Sequence, residues 1–265
     1  MLVSPAQLAL LMLSSFAAGA VNSVAGGGSL LTFPALLGAG LSALGANATS
    51  TVALMPGSFA ALWGYRARLR GQGPVIAAMT VPSLVGGVLG AVLALRVGER
   101  WFALIVPWLL LGATLLFALQ QPLRAMADRM SSQSPDRSDV LSARSLVVIG
   151  LFQLLVATYG GFFGAGIGIM MLASLAIVGF SDIHQMNGLK NLAAAVINAV
   201  AIVIFVSKGT ANLPLAAVMA LAAIAGGRLG AGIAQRLGAK TVRGFVTFVG
   251  LSITTLLFVR RMRGG

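Results

Sequence analysis

The sequence predicts an all-α polytopic membrane protein of two homologous repeats, each with about four transmembrane helices and a short broken or re-entrant helix. Of its 265 residues 58% are hydrophobic and 9% are charged, and the mean hydropathy is +0.97. A soluble globular domain of this size is excluded, because its surface could not be made polar enough. The apolar residues form long runs rather than alternating, which favours helices over a β-barrel.

An internal repeat is the second observation behind this fold class. Sliding the sequence by 140 residues places Gly28 on Gly168 and Asn47 on Asn187. The same offset places Gly86, Gly87 and Gly90 on Gly226, Gly227 and Gly230. One offset that holds over about seventy residues and pairs mostly Gly, Pro and Asn indicates a duplication. We therefore divide the chain into a first transmembrane repeat at 1–120, a central hydrophilic loop at 121–144 and a second transmembrane repeat at 145–265.

The first repeat begins with a stretch, residues 1–65, that lacks Asp, Glu, Lys, Arg and His. Its middle segment of about 12 residues rises about 18 Å as a helix. That is too short to cross a hydrocarbon core of about 30 Å, so we expect a half-helix or re-entrant element there. The elements expected in this repeat are helices at about 5–24, 47–65, 73–95 and 101–123, with the short segment at about 29–40.

The second repeat follows the same plan. We expect helices at about 145–164, 188–207, 212–236 and 241–259, with a short segment at about 168–180. The N-terminal apolar run lacks the basic region of a signal peptide and is kept in the mature protein. With four crossings in each half, both termini are cytoplasmic. If the short segments also cross, the repeats are inverted, and the distribution of Lys and Arg does not discriminate between the two topologies.

Polar residues interrupt the apolar runs mainly in the two copies of the Gly and Asn pattern. Ser29 is expected to cap the short segment, and Asn47 and Asn187 to cap the long helices that follow. Convergent helix N-termini would offer amide donors and positive dipole ends to an anion, and Lys190 would add a full positive charge. The residues expected to bind an anionic substrate are Gly27, Gly28, Ser29, Asn47, Ser50, Thr51, Gly166, Gly168, Asn187, Lys190, Asn191 and Arg228.

Several of these signals have a structural alternative. The triplet Gly26–Gly28 also suits a tight turn or close packing, and the Gly86–Gly90 and Gly226–Gly230 pairs are more typical of helix contacts. Arg228 interrupts an apolar run, which suggests a function, but it could also snorkel toward an interface. His184 and Asp182 are more simply an exposed loop pair than a metal or proton-relay site.

The absent residue types exclude several classes of protein. Apart from Asp182, no carboxylate lies within the predicted membrane body, which disfavours a cation pump. There is no Ser/His/Asp set, paired acid or metal-ligand cluster, so we expect neither an enzyme nor a cofactor. Cysteine is absent, and the net charge of +13 comes from clusters between apolar runs, as topogenic charges do, rather than from a nucleic-acid surface. The remaining chemistry suits a small anion.

The segment AGAVNSVAGGGSLLTFPALLGAGLSALGANATSTVALMPGSFAALWGYR resembles the first-repeat signature of the sulfite exporter TauE/SafE family. YGGFFGAGIGIMMLA followed by MNGLKNLAAAVINA resembles the second. The resemblance covers nearly the whole chain and implies a transporter of about eight helices for sulfite, sulfonates or related organosulfur anions. We expect it in the bacterial inner membrane. The two copies differ because Ser50 becomes Lys190 and Pro34 becomes Ser174.

These observations together predict a secondary transporter that moves a small anion by alternating access, the two repeats moving around a site near mid-membrane. Proton coupling stays open, and His184 is the only side chain of a type that titrates near neutral pH. A homo-oligomer stays open as well. The alternatives are an anion channel with the same site and a non-transporting membrane scaffold or assembly protein whose glycines only pack helices.

Overall fold

The structure, a computed structural model, describes residues 3–24, 27–122, 125, 142–180 and 182–262. Every regular element in these residues is a helix, as the long apolar runs predict. The predicted central loop lies largely outside the described residues, and so does Gly26. The helices are α1 (Pro5–Val24), α2 (Ser29–Gly38), α3 (Ala43–Tyr65), a 3₁₀ turn (Arg66–Leu69), α4 (Gly73–Ala118), α5 (Ala143–Phe162), α6 (Ile167–Ile177), α7 (Ile183–Ser207), α8 (Leu213–Ala225), a π-helical segment (Gly226–Gly230) and α9 (Ala231–Met262).

The two predicted short segments are short helices. α2 has 10 residues and α6 has 11, so they rise about 15 and 17 Å, well below the thickness of a hydrocarbon core. Each is followed by a glycine with positive φ, Gly40 at 91° and Gly179 at 105°. The N–H of Leu41 donates to Leu36 O at 3.2 Å and that of Phe180 to Leu175 O at 3.0 Å. These bonds of Schellman type end both helices firmly.

Five helices of the described residues are long and apolar enough to cross a membrane. α4, with 46 residues, is bent at Gly98, whose φ of 74° and ψ of 168° are not helical. This bend lies in the gap between the two charge-free runs at 73–95 and 101–123, where the sequence predicts a break. The spans are Pro5–Asn22, Gly73–Ala118, Ala143–Phe162, His184–Ser207 and Lys240–Val259. The protein is therefore an integral membrane protein.

The predicted break between helices at 212–236 and 241–259 is wrong. The irregularity lies earlier, in the π-helical segment Gly226–Gly230, and α9 continues from Ala231 to Met262. A glycine such as Gly238 costs a helix only about 1 kcal/mol, which is too little to end it without further signals. The π-helical segment begins at the glycine pair 226–227. Such single π turns are a common cause of irregularity inside α-helices.

One compact unit, unit 1, comprises Met1–Gly57, Ala94–Ala118 and Ile202–Gly265. In it α1 packs against α2, α8, the π-helical segment and α9. A Cβ added to Gly226 would overlap the carbonyl oxygen of Phe16, and one added to Gly19 would overlap that of Ala223. Only small residues allow two helix backbones to approach so closely.

The other compact unit, unit 2, comprises Ser58–Leu93 and Leu119–Ala201. Its α5 packs against α6, and α5 also meets the first part of α4, where a Cβ on Gly90 would overlap the carbonyl oxygen of Thr158. A buried hydrogen bond of 2.9 Å from Gln153 Nε2 to Ser83 Oγ joins the same two helices. The core of unit 2 is apolar and includes Val156, Met171, Leu175, Leu189 and Ile197.

Glycines at positions related by the offset of 140 thus pack helices in both units. Gly86 lies against Ala157 of α5, and Gly226 lies against Phe16 of α1. The prediction that these glycines mediate helix contacts is confirmed. Each unit contains segments from both halves of the sequence, and the division into repeats stays a prediction.

Candidate functional site

The predicted anion-binding residues are divided between the two units. The structure describes all twelve, and each unit holds a short helix followed by the first part of a long helix, with polar residues near its start. Unit 1 contains Gly27, Gly28, Ser29, Asn47, Ser50, Thr51 and Arg228, and unit 2 contains Gly166, Gly168, Asn187, Lys190 and Asn191.

The glycines before α2 serve close packing. Gly27 has a φ of 86°, and a Cβ there would lie 2.6 Å from Cε2 of Phe117. A Cβ on Gly28 would lie 2.7 Å from Nδ2 of Asn22, and the N–H of Gly28 donates to Asn22 Oδ1 at 2.8 Å. Side chains larger than hydrogen are therefore excluded at both positions, whatever else these glycines do.

Ser29 is not the N-cap of α2, contrary to the sequence-based expectation. It is the first helical residue, the N-cap is Gly28, and no side chain caps this end. The reason is that Gly28 already has its N–H bonded to Asn22, so the chain enters the helix one residue earlier than the serine pattern predicts.

Polar side chains of α2 and α3 bond to one another in the interior of unit 1. The hydroxyls of Thr32 and Ser50 lie 2.6 Å apart, and both residues are almost completely buried, at 0% and 3% exposure. The Thr51 hydroxyl donates to Asn47 O at 2.9 Å, and Thr49 Oγ1 accepts the N–H of Asn212 at 3.0 Å. This region is neutral, and its hydroxyls have internal partners.

Asn47 and Asn187 are not helix caps, which corrects a second expectation. α3 begins at Ala43 and α7 at Ile183, so each asparagine is the fifth residue of its helix. The caps are Ser42, whose Oγ accepts the N–H of Gly45 at 3.1 Å, and Asp182, whose Oδ1 accepts the N–H of His184 at 2.9 Å. The offset of 140 relates these two caps as well.

Carboxylates occupy the starts of both long helices. Glu99 accepts the N–H groups of Ala43 and Leu44 at 2.5 and 2.9 Å, and Asp182 also accepts that of Gln185 at 3.3 Å. Negative side chains at helix N-termini are stabilising because they match the dipole. These amides are therefore not available to a substrate, and the expectation of free donors at the start of α3 and α7 is wrong.

The start of α6 in unit 2 is different. Its N-cap, Gly166, has a left-handed conformation with φ 82°, and no side chain caps the helix. The preceding turn is held by a hydrogen bond of 2.8 Å from the Tyr159 hydroxyl to Ala165 O. The start of α6 therefore has no side-chain cap, and the stem of a cationic side chain, Lys190, lies beside it.

Lys190 places its aliphatic stem on Gly168, in the first turn of α6. A Cβ on Gly168 would lie 3.2 Å from Cδ and 3.9 Å from Cε of Lys190. Asn187 lies three residues before Lys190 and four before Asn191, so its side chain neighbours each of theirs on α7. Lys190 and Asn191 themselves are about 100° apart around the helix. Leu189, by contrast, is completely buried in the apolar core. We call Gly166, Gly168, Asn187, Lys190 and Asn191 the glycine–lysine corner.

The other sequence candidates are exposed. Arg228 lies in the π-helical segment with an exposed side chain. Asp182 and His184 are exposed at the start of α7, and Arg68 Nη1 approaches Asp182 Oδ2 at 3.9 Å. The N–H of His184, which donates to the carboxylate, is the largest cause that lowers the pKa of Asp182. No group of three or more His, Asp or Glu with metal-site geometry occurs in the described part of the chain.

Sequence reasoning missed three charged residues with structural consequences. Asp182 had a signal, since Asp182 and Gln185 have the spacing of a capping box. Glu99 had none, because its partners at the start of α3 lie more than fifty residues away in the chain. Arg243 has the sequence appearance of a charge between apolar runs, but the residue is only 9% exposed.

Comparison with known proteins gives a consistent result. The sequence model of the family described as "Sulfite exporter TauE/SafE" matches residues 11–257. The chain is 30% identical to a probable membrane transporter protein, ORF9, of Sinorhizobium sp., over 94% of this chain and 92% of the relative. It is 28% identical to a probable membrane transporter protein of Haemophilus influenzae, over 93% and 92%. It is 29% identical to the probable membrane transporter protein YfcA of Escherichia coli K12, over 94% and 88%. No solved structure matches.

Proposed function

Because the chain belongs to the sulfite exporter TauE/SafE family, and is thus a membrane transporter, we propose that it moves a small anion across the membrane by alternating access. The substrate class is sulfite, a sulfonate or a related organosulfur or organic anion. This class follows the family description and the chemistry of the glycine–lysine corner, whose five residues include one cationic side chain, two side-chain amides and no carboxylate.

The contact between Lys190 and Gly168 is the observation that carries the proposal. Glycine at 168 leaves room for the lysine stem along the first turn of α6, whose start has no side-chain cap. The positive end of the helix dipole and the ammonium group then act on the same region, and each favours an anion. A lysine in a membrane-spanning segment is costly, so such residues are by default functional.

Asn187 and Asn191 are proposed to orient the anion by donating amide hydrogen bonds from the same face of α7. The expected division of roles is charge from Lys190, orientation from the two asparagines and shape from Gly166 and Gly168. Gly27, Gly28, Ser29, Asn47, Ser50 and Thr51 are proposed to shape the pathway in unit 1 rather than to carry charge. Arg228 is proposed as a weaker contributor at an exposed position.

Flux of radiolabelled sulfite into proteoliposomes tests the function. We expect saturable uptake above that of protein-free liposomes. Excess unlabelled methanesulfonate should reduce it, and excess taurine should reduce it less, because the ammonium group of taurine makes this sulfonate a zwitterion without net charge. Preloading the liposomes with unlabelled sulfite should accelerate uptake, because during exchange the binding site returns to the outer side carrying internal sulfite instead of empty. Uptake equal to that of protein-free liposomes would refute transport of this class, and channel-like rates without acceleration would refute alternating access.

Proton coupling is tested in the same proteoliposomes with an imposed pH gradient. If coupling uses His184, the response to the gradient should disappear in His184→Gln while exchange persists. A response that is unchanged in His184→Gln would exclude this histidine from coupling.

A further inference from the structure

The connection between α3 and α4, in unit 2, carries three exposed arginines. The 3₁₀ turn Arg66–Leu69 follows α3 directly. Its Leu69 packs against the apolar core of unit 2 and lies against Gly188 of α7, which fixes the position of the turn. The membrane span of α4 begins at Gly73, so the turn lies at the end of a span. We call the three exposed residues the arginine turn: Arg66, Arg68 and Arg70.

Only one residue of the arginine turn has a carboxylate partner among the described residues. Arg68 Nη1 lies 3.9 Å from Asp182 Oδ2, and both side chains are largely exposed, so this pair contributes little. Asp182 is the only acidic side chain in the described part of unit 2. Within that part, Arg66 and Arg70 therefore have no internal counter-charge.

A fourth exposed arginine lies at the same end of unit 2. Gly150 of α5 lies against Ala78 of α4, and Thr158, further along α5, lies against Gly90, further along α4. These two helices are thus parallel, and their starts lie at the same end. Arg144 is the second residue of α5 and is exposed there. The positive charge at this end therefore comes from two separate connections of the chain.

An exposed aromatic face of α3 continues directly from the arginine turn. Trp63 is 69% exposed, and Phe59, one turn earlier on the same side of the helix, is 45% exposed. The guanidinium carbon of Arg66 lies 4.6 Å from the centroid of the Trp63 ring, and Arg66 Nη1 donates to Trp63 O at 2.8 Å. The stacking and the hydrogen bond together orient this guanidinium. An exposed tryptophan beside cations is typical of the headgroup level of a membrane.

We infer that the arginine turn, Arg144 and Trp63 bind the headgroup of an anionic phospholipid, whose acyl chains lie along Trp63 and Phe59. A guanidinium bonds two phosphate oxygens at once, and the aromatic face supplies the apolar contact that an acyl chain needs. A soluble phosphate would use the charges and leave the aromatic face uncovered, so the observations favour a lipid. The inference does not depend on the proposed function.

Quenching of Trp63 fluorescence by brominated lipid tests this position. The full-length protein with Trp101→Phe and Trp108→Phe retains Trp63 as its only tryptophan. It is placed in phosphatidylcholine nanodiscs with increasing mole fractions of either phosphatidylglycerol or phosphatidylcholine that carries brominated acyl chains. We expect half-maximal quenching at an at least about fivefold lower mole fraction of brominated phosphatidylglycerol, because each basic residue near a membrane surface favours anionic lipid by about this factor.

Removal of charge from the arginine turn should abolish this preference. In Arg66→Gln/Arg70→Gln, the two brominated lipids should quench equally. The matched control is Arg96→Gln/Arg100→Gln, which removes the same charge from exposed positions of unit 1 and should keep the preference. Because Arg66 also contacts Trp63, Arg70→Gln is measured alone. It should weaken the preference and leave the unquenched emission maximum unchanged.

Arg66→Lys/Arg70→Lys keeps the charge but not the planar fork, so it should retain a reduced preference for phosphatidylglycerol. If the glutamine pair fails to fold, Arg70→Gln alone decides the test, and an undiminished preference in it would count against the inference.

Four results would overturn the inference. The first is a preference that Arg66→Gln/Arg70→Gln retains. The second is an equal loss in Arg96→Gln/Arg100→Gln, which would assign the preference to the net charge of the protein. The third is a lack of quenching by either lipid, which would show that Trp63 does not contact acyl chains. The fourth is loss of the preference on addition of inorganic phosphate at constant ionic strength, which would assign the arginines to a soluble phosphate.

Discussion

In unit 1, α2 and α3 are joined by a hydrogen bond between Thr32 and Ser50, whose hydroxyls lie 2.6 Å apart. In unit 2, the residues at the same offset positions are Leu172 and Lys190, and the lysine stem lies on Gly168 instead. The helices α2 and α3 are thus linked by a hydrogen bond between their own neutral side chains. The other pair brings a positive charge to the start of a short helix.

The difference teaches that similar helix packing does not require similar chemistry. Glycines at offset-related positions pack helices in both units, and caps at Ser42 and Asp182 start both long helices. The polar groups between short and long helix, by contrast, differ in charge. A hydroxyl pair is self-sufficient and stabilising, whereas a lysine in a membrane-spanning segment is costly and by default functional. We therefore expect the Thr32–Ser50 pair of unit 1 to contribute to stability. We propose that Lys190 and the start of α6 in unit 2 bind the anion.

The largest expected effect is on stability, at the glycines that pack helices in both units. Gly226→Ala in unit 1 and Gly90→Ala in unit 2 should each destabilise the protein by about 3 kcal/mol or more, because the new methyl group would overlap a helix backbone that cannot give way. Gly244→Ala is the matched control, since nothing lies within 4 Å of the added atom. It should be neutral or slightly stabilising. The readout is the midpoint of thermal unfolding in detergent.

Unequal results would break the likeness of the units. If Gly90→Ala unfolds the protein and Gly226→Ala does not, the π-helical segment absorbs the clash, and the close contact with Phe16 is not a stabilising feature of unit 1. If neither variant lowers the midpoint, the packing of both units is looser than described.

A smaller effect, on function rather than stability, is expected at the start of α6. Gly168→Ala places a methyl group 3.2 Å from Cδ of Lys190, so the lysine must shift by a few tenths of an ångström. We expect the sulfite concentration at half-maximal flux to rise about two- to tenfold, which corresponds to about 0.4–1.4 kcal/mol. Gly150→Ala, where the added atom makes only ordinary contacts, should leave it unchanged. Equal values for both variants would remove Gly168 from the site.

The smallest effect concerns the caps of the long helices. Asp182→Ala should cost about 1 kcal/mol, and Ser42→Ala about 0.5 kcal/mol, because Glu99 still accepts the N–H groups of Ala43 and Leu44 in the second variant. The pKa of Asp182 is lowered in the folded protein from its ordinary value of 3.8. Its contribution is therefore present above about pH 4 and is lost as the pH falls through the lowered pKa.

Denaturation midpoints of both variants at pH 7 and at pH 3 check this prediction. The difference in midpoint between wild type and Asp182→Ala should be smaller at pH 3 than at pH 7. The difference between wild type and Ser42→Ala should be the same at both pH values, because serine does not titrate. A larger loss in Ser42→Ala at pH 7 would show that Glu99 does not support the start of α3.

Much of the fold is predictable from this sequence, because a helix that crosses the hydrocarbon core must have apolar side chains along nearly its whole length. Long apolar runs without Asp, Glu, Lys or Arg therefore locate α1 and α5 to within a few residues, and the length of the apolar segments identifies α2 and α6 as short. The break at Gly98 is predictable as well, since charged residues flank it. The continuous α9 is not, because a glycine beside charges reads as a break although its cost in a helix is small.

The candidate site is predictable only in part, because residue types do not show which polar groups already have partners. The sequence pattern identifies Ser50 and Lys190 as related positions, but only the structure shows that Ser50 is bonded to Thr32. Asparagine is a residue type that often caps helices, yet Ser42 and Asp182, five residues before Asn47 and Asn187, are the caps. Arg243 has the sequence appearance of a topogenic charge, and its burial depends on packing within unit 1.

The central claim is that the counter-charge for the transported anion comes from Lys190 and not from the α2–α3 pair. Sulfite flux in proteoliposomes, normalised to folded protein, tests it most directly for Lys190→Ala and Ser50→Ala side by side. Lys190→Ala should reduce flux at least about tenfold, as expected for losing a charged interaction of about 1.4 kcal/mol or more. Ser50→Ala should keep about half or more of the wild-type flux while lowering stability by about 1 kcal/mol. Wild-type flux in Lys190→Ala, or an equal loss in both variants, would contradict the account.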